Sequence, residues 1–212
     1  MNLNTIGVLF DLDGVLIDTE TQYSVFWGKM GDKYLGNGKE FAARIKGSNL
    51  STILNSNFPD KELQKEIVKQ LDEFQANMSF DIYPGVMEFI RQLEENGIPM
   101  CIVTSSDDRK MESLFAQQPY FRLAFQNIIT GDQVAKSKPD PECFLKGAKL
   151  IDRDIHNCYV FEDSMQGITA GIASGATVIA LDTTCSRSSI RNLTDNIISS
   201  FEHFGVNDML NF

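Results

Sequence analysis

Histidine is nearly missing from this chain. Two residues, His156 and His203, occur in 212, and neither has a partner at a useful spacing. A histidine-based metal site and a Ser-His-Asp triad are therefore set aside. Cysteine is sparse too: Cys101, Cys143, Cys158 and Cys185 show no paired spacing. Cys101 and Cys158 fall inside apolar runs, where the residue serves as a small buried hydrophobe. No run is long enough to span a bilayer, and the N-terminus lacks the basic-then-apolar form of a signal peptide. A reducing, cytoplasmic setting is the expectation. Positive charge is also short, with 19 Lys and Arg against 29 Asp and Glu, a net charge of -10. That balance argues against nucleic acid and anionic membrane as partners. It also opposes any phosphorylated ligand, so such a ligand would need a local positive centre.

What is present begins with 42% hydrophobic and 23% charged residues, enough for a packed core. The length suits one domain with an insertion, or two small domains. The stretch Ile6-Gly7-Val8-Leu9-Phe10-Asp11-Leu12-Asp13-Gly14 is an apolar run ending in two carboxylates and a glycine. Val8, Leu9 and Phe10 lack alternation, as in a parallel strand covered on both faces. Asp11 and Asp13 are two apart and project to one side of extended chain. Gly14 lets the chain turn away with no Cβ in the gap. Two close carboxylates repel, and protonation or a hard cation relieves them.

From Asp18 to about Asp81 the pattern is helical, with no convincing strand. Tyr23, Phe26, Trp27 and Met30 share a helical face, and Asn37-Gly38 reads as a turn. Phe41, Ala42 and Ile45 predict a short helix ending near Gly47. Asp60 can cap a longer helix striped by Leu63, Ile67, Leu71, Phe74 and Met78. After Pro84-Gly85, strands and helices alternate. Val86, Phe89, Ile90 and Leu93 predict a helix closed by Gly97, followed by a strand over Met100 to Val103. A helix over Asp107 to Gln117 and a strand over Ala124 to Ile129 come next. Asp140 is expected to cap, and Pro141 to open, a helix carrying Phe144, Leu145 and Ala148. Strands are expected at Cys158 to Phe161 and Ala176 to Leu181, with a short edge strand at Ile197-Ile198. Between the first two lies a helix rich in small residues, stopped by Gly175. The assembly is an α/β fold: a doubly wound, Rossmann-like parallel sheet core (1–17 and 83–212) with an inserted helical cap (18–82).

Polar residues recur where strands stop: Asp11 and Asp13, Thr104 and Ser105, Lys138, Glu162 and Asp163. On one parallel sheet those ends converge on one edge. Carboxylate oxygens suit Mg2+. A hydroxyl and backbone N–H groups at a helix start (Thr104, Ser105) suit a phosphate, and Lys138 is a compact positive charge. Each piece alone has an ordinary explanation: an N-cap, a solvated lysine, an acidic helix start. The ordered set has none.

That order resembles the four signature motifs of the haloacid dehalogenase superfamily. Phe10 to Thr19 and Val160 to Ile168 are particularly similar to its β-phosphoglucomutase-like phosphatase branch. The resemblance spans nearly the whole chain, the helical cap included. It implies that Asp11 attacks phosphorus and that Asp13 protonates the leaving oxygen and then activates water. Thr104, the Ser105 backbone and Lys138 would bind the phosphoryl group. Mg2+ would be held by Asp11, the main-chain oxygen of Asp13 and Asp163, with Glu162 in or beside that set. Tyr23, Lys46 and Gly47 are candidate substrate contacts in the cap. Two departures stand out. Tyr23 replaces a histidine frequent in the branch, and Gly47 is followed by Ser48, Asn49 and Leu50 without the arginine that sugar phosphomutases place there. A phosphatase acting on a sugar or polyol phosphate is thus expected ahead of a mutase, although Arg44 or Lys46 could supply the missing cation. A receiver-like signalling module fits less well, being shorter and without a helical insertion. A capped site needs no partner chain, so a monomer is expected.

Overall fold

A computed structural model of the protein describes residues 3–46 and 48–212. Gly47, one of the candidate substrate contacts, lies outside the described residues. The apolar run forms β1 (Gly7–Phe10) at the middle of a six-stranded sheet. Its neighbours are β4 (Met100–Val103) on one side and β6 (Cys158–Glu162) on the other, both parallel to it. The sheet continues to β5 (Ile128–Ile129) beyond β4, and through β7 (Thr177–Leu181) to β8 (Ile197–Ile198) beyond β6. All pairings in it are parallel.

Alternate strand residues feed two cores, which is why the strands read as unbroken apolar runs. Val8, Phe10, Ile102, Phe161 and Ile179 face one layer, made by α5 (Val86–Glu95), α6 (Asp108–Gln117), α7 (Pro119–Ala124) and the C-terminal α11 (Val206–Met209). Leu9, Cys101, Val103, Val160 and Val178 face the other, made by α8 (Glu142–Leu150), α9 (Met165–Ser174) and α10 (Arg187–Ile190). The sheet is therefore wound on both faces. The chain moves outward from β1 through β4 to β5, then returns to the far side of β1 as β6. The reversal beside β1 is where such sheets bind ligands.

Between β2 (Ile17–Asp18) and β3 (Asp81–Ile82) lie four helices: α1 (Glu20–Tyr34), α2 (Gly38–Arg44), α3 (Leu50–Asn57) and α4 (Lys61–Ala76). They form a lobe with its own core of Phe26, Trp27, Phe41, Phe58, Ile67 and Leu71. Asp60 caps α4 by accepting the Glu62 and Leu63 N–H groups, and Gly97 takes a φ of 65° after α5.

Several expectations need correction. The two crossings into the lobe pair as an antiparallel ribbon, Ile17 with Ile82 and Asp18 with Asp81, where no strand was expected. Two-residue strands carry no periodicity to read. Asn37-Gly38 is the start of α2, not a separate turn. Helix α3 was unforeseen, although Asn49 caps it by accepting the Thr52 N–H. Residue 124 ends a helix instead of starting a strand: Pro119 opens α7, and Phe121 and Phe125, four apart, both enter the core. Helix α8 begins at Glu142, with Asp140 accepting the Glu142 N–H at 3.0 Å.

Phe10 is fully buried, stacked on Phe161 at 5.2 Å and set edge-on to Phe89 and Phe125. Phe10→Ala is expected to lower unfolding free energy by about 3–5 kcal/mol. Urea denaturation checks this, and a loss below about 1 kcal/mol would show that the ring cluster does not anchor the sheet.

Candidate active site

Asp11 is the first residue past β1. Its N–H donates to Phe161 O at 2.9 Å, which carries the ladder one step further and aims the side chain over the end of the sheet. Glu162 closes β6 beside it, and Asp163 follows. One oxygen from each of Asp11, Glu162 and Asp163 fits within 4.8 Å of the others, and all three residues are buried. Two glycines make room. Gly14, at φ 81°, would place a Cβ 1.9 Å from Asp163 Oδ2, and Gly167 would place one 1.6 Å from Glu162 Oε1.

Lys138, 4% exposed, enters this cluster from the loop before α8. Its Nζ donates to Asp11 Oδ1 at 2.5 Å, to Glu162 Oε1 at 2.8 Å and to Val103 O at 3.2 Å. The other Glu162 oxygen accepts the Asp163 and Ser164 N–H groups, each at 2.8 Å, and the Ser164 hydroxyl at 3.0 Å. Glu162 is thus held by donors on both oxygens. Thr104, at the end of β4, is buried and accepts the Ser106 N–H at 3.0 Å. Thr104 and Ser105 line the same cavity as the carboxylates.

Asp13 engages a different set. Its Oδ1 accepts from Lys110 Nζ and from the Thr19 hydroxyl, and its Oδ2 accepts from Ser106 Oγ at 2.8 Å. Its carboxylate is not part of the Asp11–Glu162–Asp163 group. The electrostatics separate the two aspartates. Burial pushes the Asp11 carboxyl up to about 8, against the pull of Lys138 and with the added repulsion of Glu162 and Asp13. Asp163 is raised strongly by burial, then by Glu162 and Asp11. Burial acts on Asp13 in the same sense, but the Lys110 charge and the donors around it hold its carboxyl below the ordinary range.

Four carboxylates face two ammonium groups here; with all four ionised, two negative charges are left over. An all-oxygen donor set with that excess fits a hard divalent cation such as Mg2+. Asp11 and Asp163 would hold such an ion, with Glu162 alongside.

The cavity, about 500 Å³, extends from these residues into the lobe. Tyr23 lines it and accepts from Gln75 Nε2 at 3.0 Å. Lys46 lines it too, paired with Glu20 at 3.1 Å. Arg44 does not: it donates to Asn57 Oδ1 and lies over the Phe41 ring. Sequence reasoning missed Lys110, Thr19, Ser106 and Gln75. A readable signal existed for Lys110, which shares the buried face of α6 with Met111 and Leu114. A lysine on an apolar stripe needs a partner.

This strand-end arrangement of buried carboxylates around a lysine is that of a hydrolase. Residues 7–175 match the model of the haloacid dehalogenase-like hydrolases, and the chain belongs to that family. The bifunctional riboflavin kinase/FMN phosphatase of Arabidopsis thaliana is 32% identical over 206 residues, covering 91% of this chain and 52% of that protein. The chain thus spans about half the length of that relative. Hexitol phosphatase A of Escherichia coli (strain K12) is 29% identical, covering 94% of this chain and 93% of the other. A crystal structure of a HAD hydrolase, family IA, variant 3, from Entamoeba histolytica superposes with a TM-score of 0.83 at 23% identity, over 97% of this chain and 98% of that one.

A carboxyl raised on folding costs stability as pH climbs from its unfolded value toward its folded one, here from 3.8 to about 8 for Asp11. Asp163→Asn removes one of the crowded charges. The metal-free variant is expected to melt above the metal-free parent at pH 8, with a smaller gap at pH 5. It should also lose the upward shift that Mg2+ gives the parent. Equal melting of the two proteins at both pH values would contradict the crowding.

Proposed function

We propose that this protein is a Mg2+-dependent phosphatase that hydrolyses a small phosphomonoester, a sugar or polyol phosphate, through an aspartyl-phosphate on Asp11. The observation that carries this reading is the division of labour between the two aspartates. Asp11 sits in the carboxylate and Lys138 cluster, and Asp13 is held separately by Lys110 in the same cavity. Mg2+, when bound, would neutralise the carboxylate cluster and the substrate phosphate.

Asp11 Oδ attacks phosphorus, a P–O bond forms, and the bond from phosphorus to the leaving oxygen breaks. Asp13, which must be protonated at this stage against the pull of Lys110, gives its proton to that oxygen, so the product departs as a neutral alcohol. Asp13 then takes a proton from water. The resulting hydroxide attacks the same phosphorus, the bond to Asp11 breaks, and phosphate leaves with Asp11 restored as a carboxylate. Lys138 and Thr104 offset and orient the phosphoryl oxygens throughout. Residues 18–82 act as a cap, with the Ile17–Asp18 and Asp81–Ile82 ribbon as its hinge.

The cavity's upper wall mixes Ser24, Asn49, Asn55 and Gln64 with Trp27 and Leu71, which suits a hydroxylated carbon chain or ring. The hexitol phosphatase likeness points the same way. A mutase must grip a second phosphate with a free cation. Arg44 lies outside the cavity, and Lys46 and Arg109, which line it, are paired with Glu20 and Asp72, so water completes the second step. The four free cysteines suit a reducing cytoplasm, and no helix among the described residues is long and apolar enough to cross a membrane.

Phosphate release from a panel of phosphorylated sugars, polyols and nucleotides tests the proposal. Turnover is expected with Mg2+ and absent with excess chelator, and Asp11→Asn should lower kcat by at least about 10³-fold. Isomerised sugar phosphate without free phosphate would favour the mutase, and an active Asp11→Asn would end the aspartyl-phosphate mechanism.

A further inference from the structure

Helix α6 is one place where the sheet domain meets the helical lobe, and charged groups take part in that contact. Arg109 Nη1 reaches Asp72 Oδ2 of α4 at 2.7 Å, on the rim. One residue on, Lys110 points inward and is 1% exposed. Its ammonium pairs with Asp13 Oδ1 and lies 4.3 Å from the centre of the Tyr23 ring. Tyr23 belongs to α1 and Gln75, which donates to the Tyr23 hydroxyl at 3.0 Å, to α4. A chain of contacts thus runs from the lobe through Tyr23 and Lys110 to the carboxylate assigned to proton transfer.

We infer that Lys110 is a positioning residue that makes the orientation of Asp13 depend on the closed position of the lobe. This rests on the phosphatase reading above. Asp13 is held at three points: by Ser106 from the sheet domain, by Thr19 from the start of the lobe, and by Lys110. Lys110 is the one of these that carries a charge, and its strength depends on being dry. With the lobe shut, the Tyr23 ring closes over the ammonium, supplies the negative face of its π system and excludes water. With the lobe open, the ring departs, water reaches the ammonium, and the pair becomes an ordinary solvated ion pair with little hold on its partner. Asp13 is then free to turn away from the position in which it serves the leaving oxygen. The lobe thereby gates the proton-transfer step as well as access to the cavity.

The test uses p-nitrophenyl phosphate with the full-length protein at saturating Mg2+. Lys110→Met keeps the stem and removes the charge. It is expected to lower kcat about hundredfold, the lower range for a mispositioned acid–base group, with KM changed by no more than about threefold. Lys110→Arg should restore kcat to within about tenfold of the parent. Tyr23→Ala should lower kcat about tenfold in the parent and less than about twofold in the Lys110→Met background, because the ring acts through the ammonium. A Lys110→Met kcat within about threefold of the parent overturns the inference, as do losses that simply multiply in the double variant. If Lys110→Met does not fold, Tyr23→Ala alone decides: a loss confined to KM, with kcat unchanged, overturns it. An inactive parent protein that releases phosphate from no ester refutes the phosphatase reading and this inference together. An active parent with an unaffected Lys110→Met refutes this inference alone.

Discussion

Adjacent parallel strands lie a little under 5 Å apart, and they all stop on the same edge of the sheet. Because β1 and β6 are direct neighbours, in register from Gly7 with Cys158 to Phe10 with Phe161, the residues just past them cannot avoid one another. Asp11 is therefore forced against Glu162 and Asp163 in a buried place. Two like charges about 4 Å apart repel by roughly 4 kcal/mol at an effective dielectric near 20. A fold of marginal stability tolerates such a cluster only with compensation. Lys138 supplies part of it from the loop before α8, and a divalent cation matches the remainder. The features around the cluster follow from this constraint. Gly14 and Gly167 leave the carboxylates their space, and Ser164 and two backbone N–H groups fix Glu162 so that it cannot turn away.

The same constraint explains why two aspartates two residues apart come to differ. Asp11 is still within reach of the β-ladder and shares its lysine with Glu162. Asp13 lies past the end of the strand, where the chain turns at Gly14 toward the lobe, and finds Lys110, Thr19 and Ser106. One carboxyl is crowded by like charges and the other is surrounded by donors. Under the proposed reaction Asp11 needs the compensating cations in order to be ionised, and Asp13 needs to carry a proton that its present donors disfavour.

Much of this was legible in the chain because it is written in local patterns. Unbroken apolar runs such as Met100 to Val103 and Cys158 to Phe161 mark the central strands, and the polar residue after each marks the edge where they stop. Helices with strong stripes and clear caps, α4 and α5 among them, fall where expected. What escaped reading depends on tertiary contact. The ribbon of Ile17–Asp18 with Asp81–Ile82 joins segments more than sixty residues apart and is too short for a period to show. Helix α7 has the apolar composition of a strand, and only the burial of Phe121 and Phe125 on one side makes it helical. Lys110 sits on the apolar stripe of α6, a sign that it has a partner, but the stripe does not say which. Its partners, Asp13 and Tyr23, are 97 and 87 residues away in sequence.

The overall charge of -10 then acquires a meaning that composition alone did not carry. A phosphate dianion approaching a negative protein meets repulsion that salt screens within about 8–10 Å of the surface. Inside that distance the local field decides, and here it is set by buried groups in a low-dielectric cavity, where each charge acts more strongly than at the surface. Lys138, and the cation that the carboxylates would hold, attract the phosphate to the floor. At the wall, Lys46 is already paired with Glu20 and Arg109 with Asp72, while Arg44 lies outside the cavity and is turned toward Asn57. A single phosphate is therefore attracted to one end of the cavity and a second finds only paired cations at the other. This asymmetry favours a ligand with one charged end and a hydroxylated or apolar remainder, and it leaves the far end to hydrogen bonding and shape.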